Sequence, residues 1–441
     1  MRKVKKSIRK KFNKKARRLQ SVMFMTLLMI GLILSLVLPL RPSESESEKR
    51  TLTPFPEFSA KALFNGSYFD NINLWFSDTY PFREALVSIN AKINSLYGFG
   101  DRIYGLNNTV IEDIPTAPAT PIISIEEEFD ETLGDSINVE DAIVQDFGGI
   151  IVINDAAYEP YSFVQKVADK YAYSLNSLAS SVSDIAKVYD ILVPTAIDIT
   201  MPDNERQKYN SSSQADAIKY IFSCLSDDVN SVNVYNTMRK HRTDYIYFRT
   251  DHHWTALGAY YAYAELCKVL DVPPTSLTEG YTEYRFDGFK GSFYADTNKN
   301  PSLGNNPDTI FAYDPKAETT LTYYTKDNKS YDWDVVRDVT GWNSGSLYST
   351  FIGGDNPYTF ITNNTIQNDK KCLVVKESFG NAMVPFIVSH YSEVHVIDYR
   401  YWNGRLSEFI NQNGIDDVIF INNISATRNT SLINKLSNIS K

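Results

Sequence analysis

The chain of 441 residues contains only three cysteines, Cys224, Cys267 and Cys372. They are too few and too scattered for a disulfide framework or a CxxC metal site, so they say nothing about the redox compartment. Histidine is scarce too, with five in all, and His241, His390 and His395 stand at no metal-binding spacing from the adjacent pair His252 and His253. No repeat with a period of 20 to 50 residues is visible, which argues against a solenoid or propeller. Between Ser21 and Leu38 there is no charged residue. Beyond that stretch the chain lacks any excess of positive charge. The eleven Lys and Arg of positions 1–20 come without an acid, and removing them from the net charge of −9 leaves −20 on the rest. Such a surface repels nucleic acid.

What is present is sorted along the chain. A helix rises 1.5 Å per residue, so roughly 20 residues cross a hydrocarbon core of about 30 Å, and the uncharged run over 21–40 is long enough. Its exit, "PLRPSESES", has no small-x-small cleavage pattern. An uncleaved transmembrane anchor is expected, with the basic tail 1–20 held in the cytoplasm by the positive-inside rule and everything beyond exported. Residues 41–60 read as a tether, 61–441 as the working domain, and 111–141 as an acidic insertion or loop within it. A 43% apolar content is ample for a large folded core.

Within the domain, short apolar runs alternate with helical spacing. Strands are expected near Gly148 to Asp155, Tyr189 to Ile199 and Val232 to Asn236, and again in "KCLVVKES", "EVHVIDYR" and "DDVIFINN". Continuous Val/Ile runs between helices predict an α/β fold with a mainly parallel sheet covered on both faces. Functional side chains of such sheets gather at the carboxyl ends of the strands, here Asp155, Pro194, Thr195, Ser378, Asp398, Arg400, Asn422 and Asn423.

Two stretches carry chemistry. Ser378 closes "CLVV" and opens a helix through "SFGN", which suits a nucleophile beside backbone donors, but also a plain helix cap. The stretch "RTDHHWTALGAYYAY" places Asp251 and His253 two apart in the turn before a helix. An aspartate that orients an imidazole is what a serine needs to lose its proton. A polar helix start and a metal site are the other readings of those residues.

These same stretches resemble the signature and serine block of the bacterial DHHW proteins. A third, Phe64 to Gly98, is similar to the front segment of the alginate O-acetyltransferases, which are SGNH-hydrolase-like. The resemblance covers the chain from about Ala60 onward. It implies a three-layer SGNH-like acyl-transfer fold with Asp251 as orienter, His253 as general base and Ser378 as nucleophile, and no metal or cofactor. The sequence departs from the pattern at Glu377, where an aspartate is commoner, and lacks the Gly-Asp-Ser-Leu run of ordinary SGNH esterases. By the same resemblance Asn422, Asn381 and Asn356 are oxyanion candidates; Arg400 and Tyr401, following "VHVID" at a neighbouring strand end, are candidate substrate contacts, with a surface salt bridge as the other reading. The function implied is O-acetylation of a surface or secreted polysaccharide at the outer face of the cytoplasmic membrane. The acetyl donor would be a multipass membrane-bound O-acyltransferase. A carbohydrate esterase or a noncatalytic polysaccharide-binding protein are the alternatives.

Overall fold

This computed structural model describes residues 129–441 continuously, together with scattered positions between Met25 and Tyr80. The chain divides into two units, Met1–Arg102 and Ile103–Lys441. The expected anchor at 21–40 lies outside the described residues apart from Met25, Thr26 and Met29. Among the described residues no helix is long and apolar enough to cross a membrane. In the first unit, Glu44–Ser45 pairs antiparallel with Arg50–Thr51, and the Arg41 guanidinium lies 3.9 Å over the ring of Trp75.

The second unit opens with a small antiparallel meander, β1 (Val144–Asp146), β2 (Ile151–Ile153) and β3 (Ala156–Tyr158). The run ending at Asp155 is therefore a strand, but not one of the main sheet. Helix α1 (Gln165–Val182) then leads into β4 (Lys187–Val193), and α2 (Gln214–Ser223) into β5 (Val229–Ser231). This last strand ends before the expected Val232 to Asn236. There the Asn233 side chain accepts from the Tyr235 N–H at 3.1 Å and turns the chain into a short helix, as Asx residues do. Helix α3 (Ala256–Leu270) starts on a Thr255 cap that accepts from the Gly258 N–H and ends at Asp271 in the left-handed region. A long hairpin follows, β6 (Tyr281–Phe289) with β7 (Asp308–Pro315).

The remaining elements complete the main sheet. They are β8 (Thr319–Tyr324), β9 (Ser330–Trp333), β10 (Tyr358–Asn363), β11 (Lys371–Lys376), α4 (Gly380–Ile387), β12 (Glu393–Asp398), α5 (Leu406–Asn413), β13 (Asp417–Asn423) and α6 (Thr430–Ile439). The sheet has eight strands in the order β9-β8-β10-β12-β11-β13-β4-β5. The five from β12 to β5 are parallel, as expected. The three from β10 outward are antiparallel, so the sheet is mixed and not mainly parallel. The reason is local: Thr319–Tyr324 and Ser330–Trp333 are joined by a five-residue turn with Asn328 at φ 57°, too short for the crossover that parallel strands require.

Leu373, Val374, Val375, Ile397, Ile419 and Ile421 are all fully buried, which is why these runs are continuously apolar. From β11 the chain crosses through α4 to β12 on one side, then returns through α5 to β13 on the other. Right-handed crossovers in opposite directions put α4 and α5 on opposite faces of the sheet. The order therefore reverses beside β11, so the carboxyl end of β11 is a topological switch point, where α/β sheets place their sites. Ser378 follows β11 by two residues.

Candidate active site

Asp251, His253 and Ser378 come together in one hydrogen-bonded chain. Asp251 Oδ1 lies 2.6 Å from His253 Nδ1, and His253 Nε2 lies 2.7 Å from Ser378 Oγ. All three residues are less than a tenth exposed. The loop is held by the backbone: Asp251 Oδ1 also accepts the His253 N–H, and Asp251 Oδ2 accepts the Ser292 N–H at 2.7 Å. Burial works against the Asp251 carboxylate, but the two adjacent imidazoles and these hydrogen bonds overcome it and hold its pKa far below the ordinary range. An ionised carboxylate only accepts, so His253 Nδ1 carries the proton and Nε2 presents its lone pair to the serine.

The serine's own turn is tied on several sides. Trp254 Nε1 donates to the Phe379 carbonyl at 2.9 Å, and the Tyr348 hydroxyl to the Ser378 carbonyl at 3.2 Å. Tyr348 also stacks on the His253 ring at 4.3 Å and 17°, which fixes the plane of the imidazole. Gly291 touches Asp251 so closely that a Cβ there would fall 2.1 Å from Oδ2. Among the described residues the Ser378 N–H donates to no acceptor, so it is free to meet a developing oxyanion.

Behind the turn lies a charged layer. Lys376, almost fully buried, bonds Asp398 at 3.0 Å and Asp355 at 3.3 Å. Arg400 grips Asp398 at 2.6 Å and Asp355 at 2.8 Å. Burial opposes the Asp355 charge, yet the two cations outweigh it and keep this carboxylate below the usual range. Glu377 is buried with fewer partners, and desolvation raises its pKa against the pull of Arg400 and two backbone N–H groups.

The other residues singled out from the sequence divide. Asn381 donates to Asp355 at 2.9 Å and its Oδ1 is buried without a partner, next to the serine turn. Asn356 donates to the Gly353 carbonyl, in the segment that carries Asp355. Asn422 is not brought to the serine; its amide is spent in the core on Tyr399 at 2.9 Å and Tyr171 at 3.3 Å. The Asn422 side chain points into the packed layer, while the next residue, Asn423, offers its backbone N–H to Glu377 at 3.0 Å. Arg400 is one of the two cations of the ion-pair layer, and Tyr401 lies under the Lys326 ammonium at 4.1 Å. Asp155 pairs with Arg249 at 3.1 Å.

The arrangement also bears on a metal. Asp251, His252 and His253 each bring a potential ligand atom within 4.8 Å of the others. However, the 2.6 Å contact commits His253 Nδ1 to Asp251, and His252 Nδ1 is 2.6 Å from Ser292 Oγ. The geometry is that of a proton-transfer chain ending on a serine.

The chain thus has a mixed α/β fold with a carboxylate, an imidazole and a serine hydrogen-bonded in sequence just past the end of β11. The DHHW protein family model matches residues 48–132 and 122–397. A crystal structure of a DHHW family protein from Eubacterium siraeum is 32% identical with a TM-score of 0.62, covering 68% of this chain and 98% of that one. This chain belongs to the DHHW protein family. Bacillus cereus PatB1, solved with a sulfonyl adduct, is 18% identical with a TM-score of 0.54 over 66% of this chain and 98% of that one, a likeness of fold. The O-acetyltransferase domain of Pseudomonas putida AlgJ matches over 66% of this chain and 99% of its own, at 12% identity and a TM-score of 0.38. No curated protein matches the chain significantly.

Proposed function

We propose that the protein is a membrane-anchored, outward-facing O-acetyltransferase acting on a polysaccharide, with a multipass membrane-bound O-acyltransferase supplying the acetyl group. The observation that carries the reading is the unbroken chain from Asp251 through His253 to the Ser378 hydroxyl. In the first step His253 Nε2 takes the Ser378 proton as Oγ attacks the donor's acetyl carbonyl. The oxyanion meets the Ser378 N–H, collapse expels the donor's leaving group with the proton from His253, and an acetyl-serine remains. In the second step a carbohydrate hydroxyl gives its proton to His253 and attacks the acetyl carbon. Collapse returns the proton to Ser378 Oγ. Asp251 stays ionised throughout and stabilises the imidazolium.

Support for a sugar acceptor comes from the antiparallel strands. Tyr324 and Tyr331, 37% and 46% exposed, lie at the same end of the sheet as Ser378, with Tyr331 stacked against Tyr323. Exposed aromatic faces of this kind suit the apolar faces of sugar rings. The test is intact mass after brief exposure of the full-length protein to an activated acetyl ester. A one-acetyl gain that Ser378→Ala abolishes, discharged faster by oligosaccharide than by water, is expected. Discharge by water alone would make the protein an esterase, and no gain would remove the nucleophile.

A further inference from the structure

Glu377 is the residue by which this sequence departs from the serine block it resembles, and the reaction just described gives it no part. The structure gives it three contacts. Its Oε1 accepts the Asn423 N–H at 3.0 Å, at the end of β13. Its Oε2 accepts the Phe379 N–H at 3.3 Å and lies 3.2 Å from Ser378 Oγ. The side chain is 4% exposed. One carboxyl group thus joins the end of a neighbouring strand, the first turn of α4 and the reacting oxygen.

We infer that Glu377 is the positioning residue for Ser378, clamping the serine's turn to β13 and fixing the Oγ rotamer that faces His253. Resting on the serine-nucleophile reading, the inference concerns the length of the side chain and its two acceptor oxygens. Only a two-carbon spacer reaches Asn423 while the other oxygen stays beside Phe379 and Ser378. An aspartate is about 1.5 Å shorter, one carbon–carbon bond, and cannot hold both N–H groups from the same Cα. Asn423 and Phe379 would then present unpaired N–H groups in a buried place.

Both oxygens of Glu377 act as acceptors, which is the acceptor set of a carboxylate. The groups that face Glu377 are Arg400 and Tyr399 beyond β12, His252 before α3, and Tyr348. Arg400 is already gripped by Asp355 and Asp398, and the others supply no fixed cation. Burial raises the Glu377 pKa, while Arg400 and the two backbone N–H donors pull it back down.

The experiment measures the rate at which the full-length protein is acetylated at Ser378 by an activated acetyl ester, across ester concentration, in wild type, Glu377→Asp, Glu377→Gln and Ser378→Ala. Thermal unfolding of each reports whether it folds. Glu377→Asp should acetylate at least about tenfold slower, in line with the cost of displacing a reacting group by about 1 Å. Glu377→Gln keeps the length but must turn its NH2 toward one of the two backbone donors, so it should also acetylate at least severalfold slower, the loss falling on the rate at saturating ester and not on the half-saturating concentration. The inference is overturned if either Glu377→Asp or Glu377→Gln, while folded, reacts at the wild-type rate. Both variants are conservative, so the comparison survives if larger truncations fail to fold. Acetylation that persists in Ser378→Ala would instead refute the nucleophile itself.

Discussion

Gly291 offers the sharpest test of how the orienting carboxylate is held. Its φ of −88° suits any residue, so an added methyl group acts through space alone. A Cβ would lie 2.1 Å from Asp251 Oδ2, 2.2 Å from Asp251 Cβ and 2.5 Å from Cγ. To reach an ordinary contact of 3.4 Å the two residues must part by about 1.3 Å, beyond what backbone flexing absorbs without cost. The movement is constrained on both sides. Ser292 N–H donates to Asp251, and Gly291 N–H donates to Thr250 Oγ1 at 3.2 Å, so parting them breaks the cradle of the carboxylate. Overpacking of this kind costs about 1–3 kcal/mol of stability, which a domain of this size survives. A displacement of about 1 Å at a reacting group costs on the order of a hundredfold in rate. Gly291→Ala should therefore remain folded by circular dichroism and thermal unfolding, yet acetylate Ser378 about a hundredfold more slowly. A folded Gly291→Ala that reacts at the wild-type rate would refute the claim that Asp251 must sit where it does.

Other perturbations separate chemistry from support. Asp251→Asn keeps the size of the side chain but lets an amide face His253 Nδ1 and favours the wrong tautomer; the acetylation rate should fall by roughly 10²- to 10⁴-fold with little change in melting temperature. Lys376→Met would leave the fully buried Asp398 and its neighbour Asp355 sharing Arg400 alone, and should cost about 1–3 kcal/mol in denaturant unfolding. Asp190 is fully buried in the sheet beneath Tyr171 with one oxygen unpaired, and desolvation pushes its pKa up to about 7. The folded state thus holds a proton that the unfolded state releases near 3.8, so this contribution is complete below that pH and is lost as pH rises through about 7. The loss is on the order of 4 kcal/mol, and Asp190→Asn should flatten the decline in stability between pH 5 and 8 relative to wild type.

The residues that could be read from sequence are those whose pattern is local. Val374, Val375, Ile419 and Ile421 form unbroken apolar runs because both faces of their strands are covered, and such runs identify central parallel strands. Thr319–Tyr324 and Ser330–Trp333 form the edge; their partly exposed Thr and Tyr residues make no such run, so the antiparallel half of the sheet went unseen. Asp251 and His253 were visible because a turn before a capped helix places residues two apart on one side. Tyr348 was not, because its stacking on His253 depends on a loop far along the chain whose path no periodicity encodes. Asn422 shows the opposite failure: a strand end marks the neighbourhood of a site, but hydrogen bonds to Tyr399 and Tyr171 engage this side chain in the core.

The central claim is that Ser378 is the acyl-accepting nucleophile and His253 its base. The measurement that tests it most directly is peptide mapping of the full-length protein after a short pulse of activated acetyl ester, in wild type, His253→Ala and Ser378→Ala. An acetyl group found on Ser378 in wild type, and absent from both variants while they remain folded, is the predicted result. Equal labelling of all three, or an acetyl group carried by another residue, would contradict it.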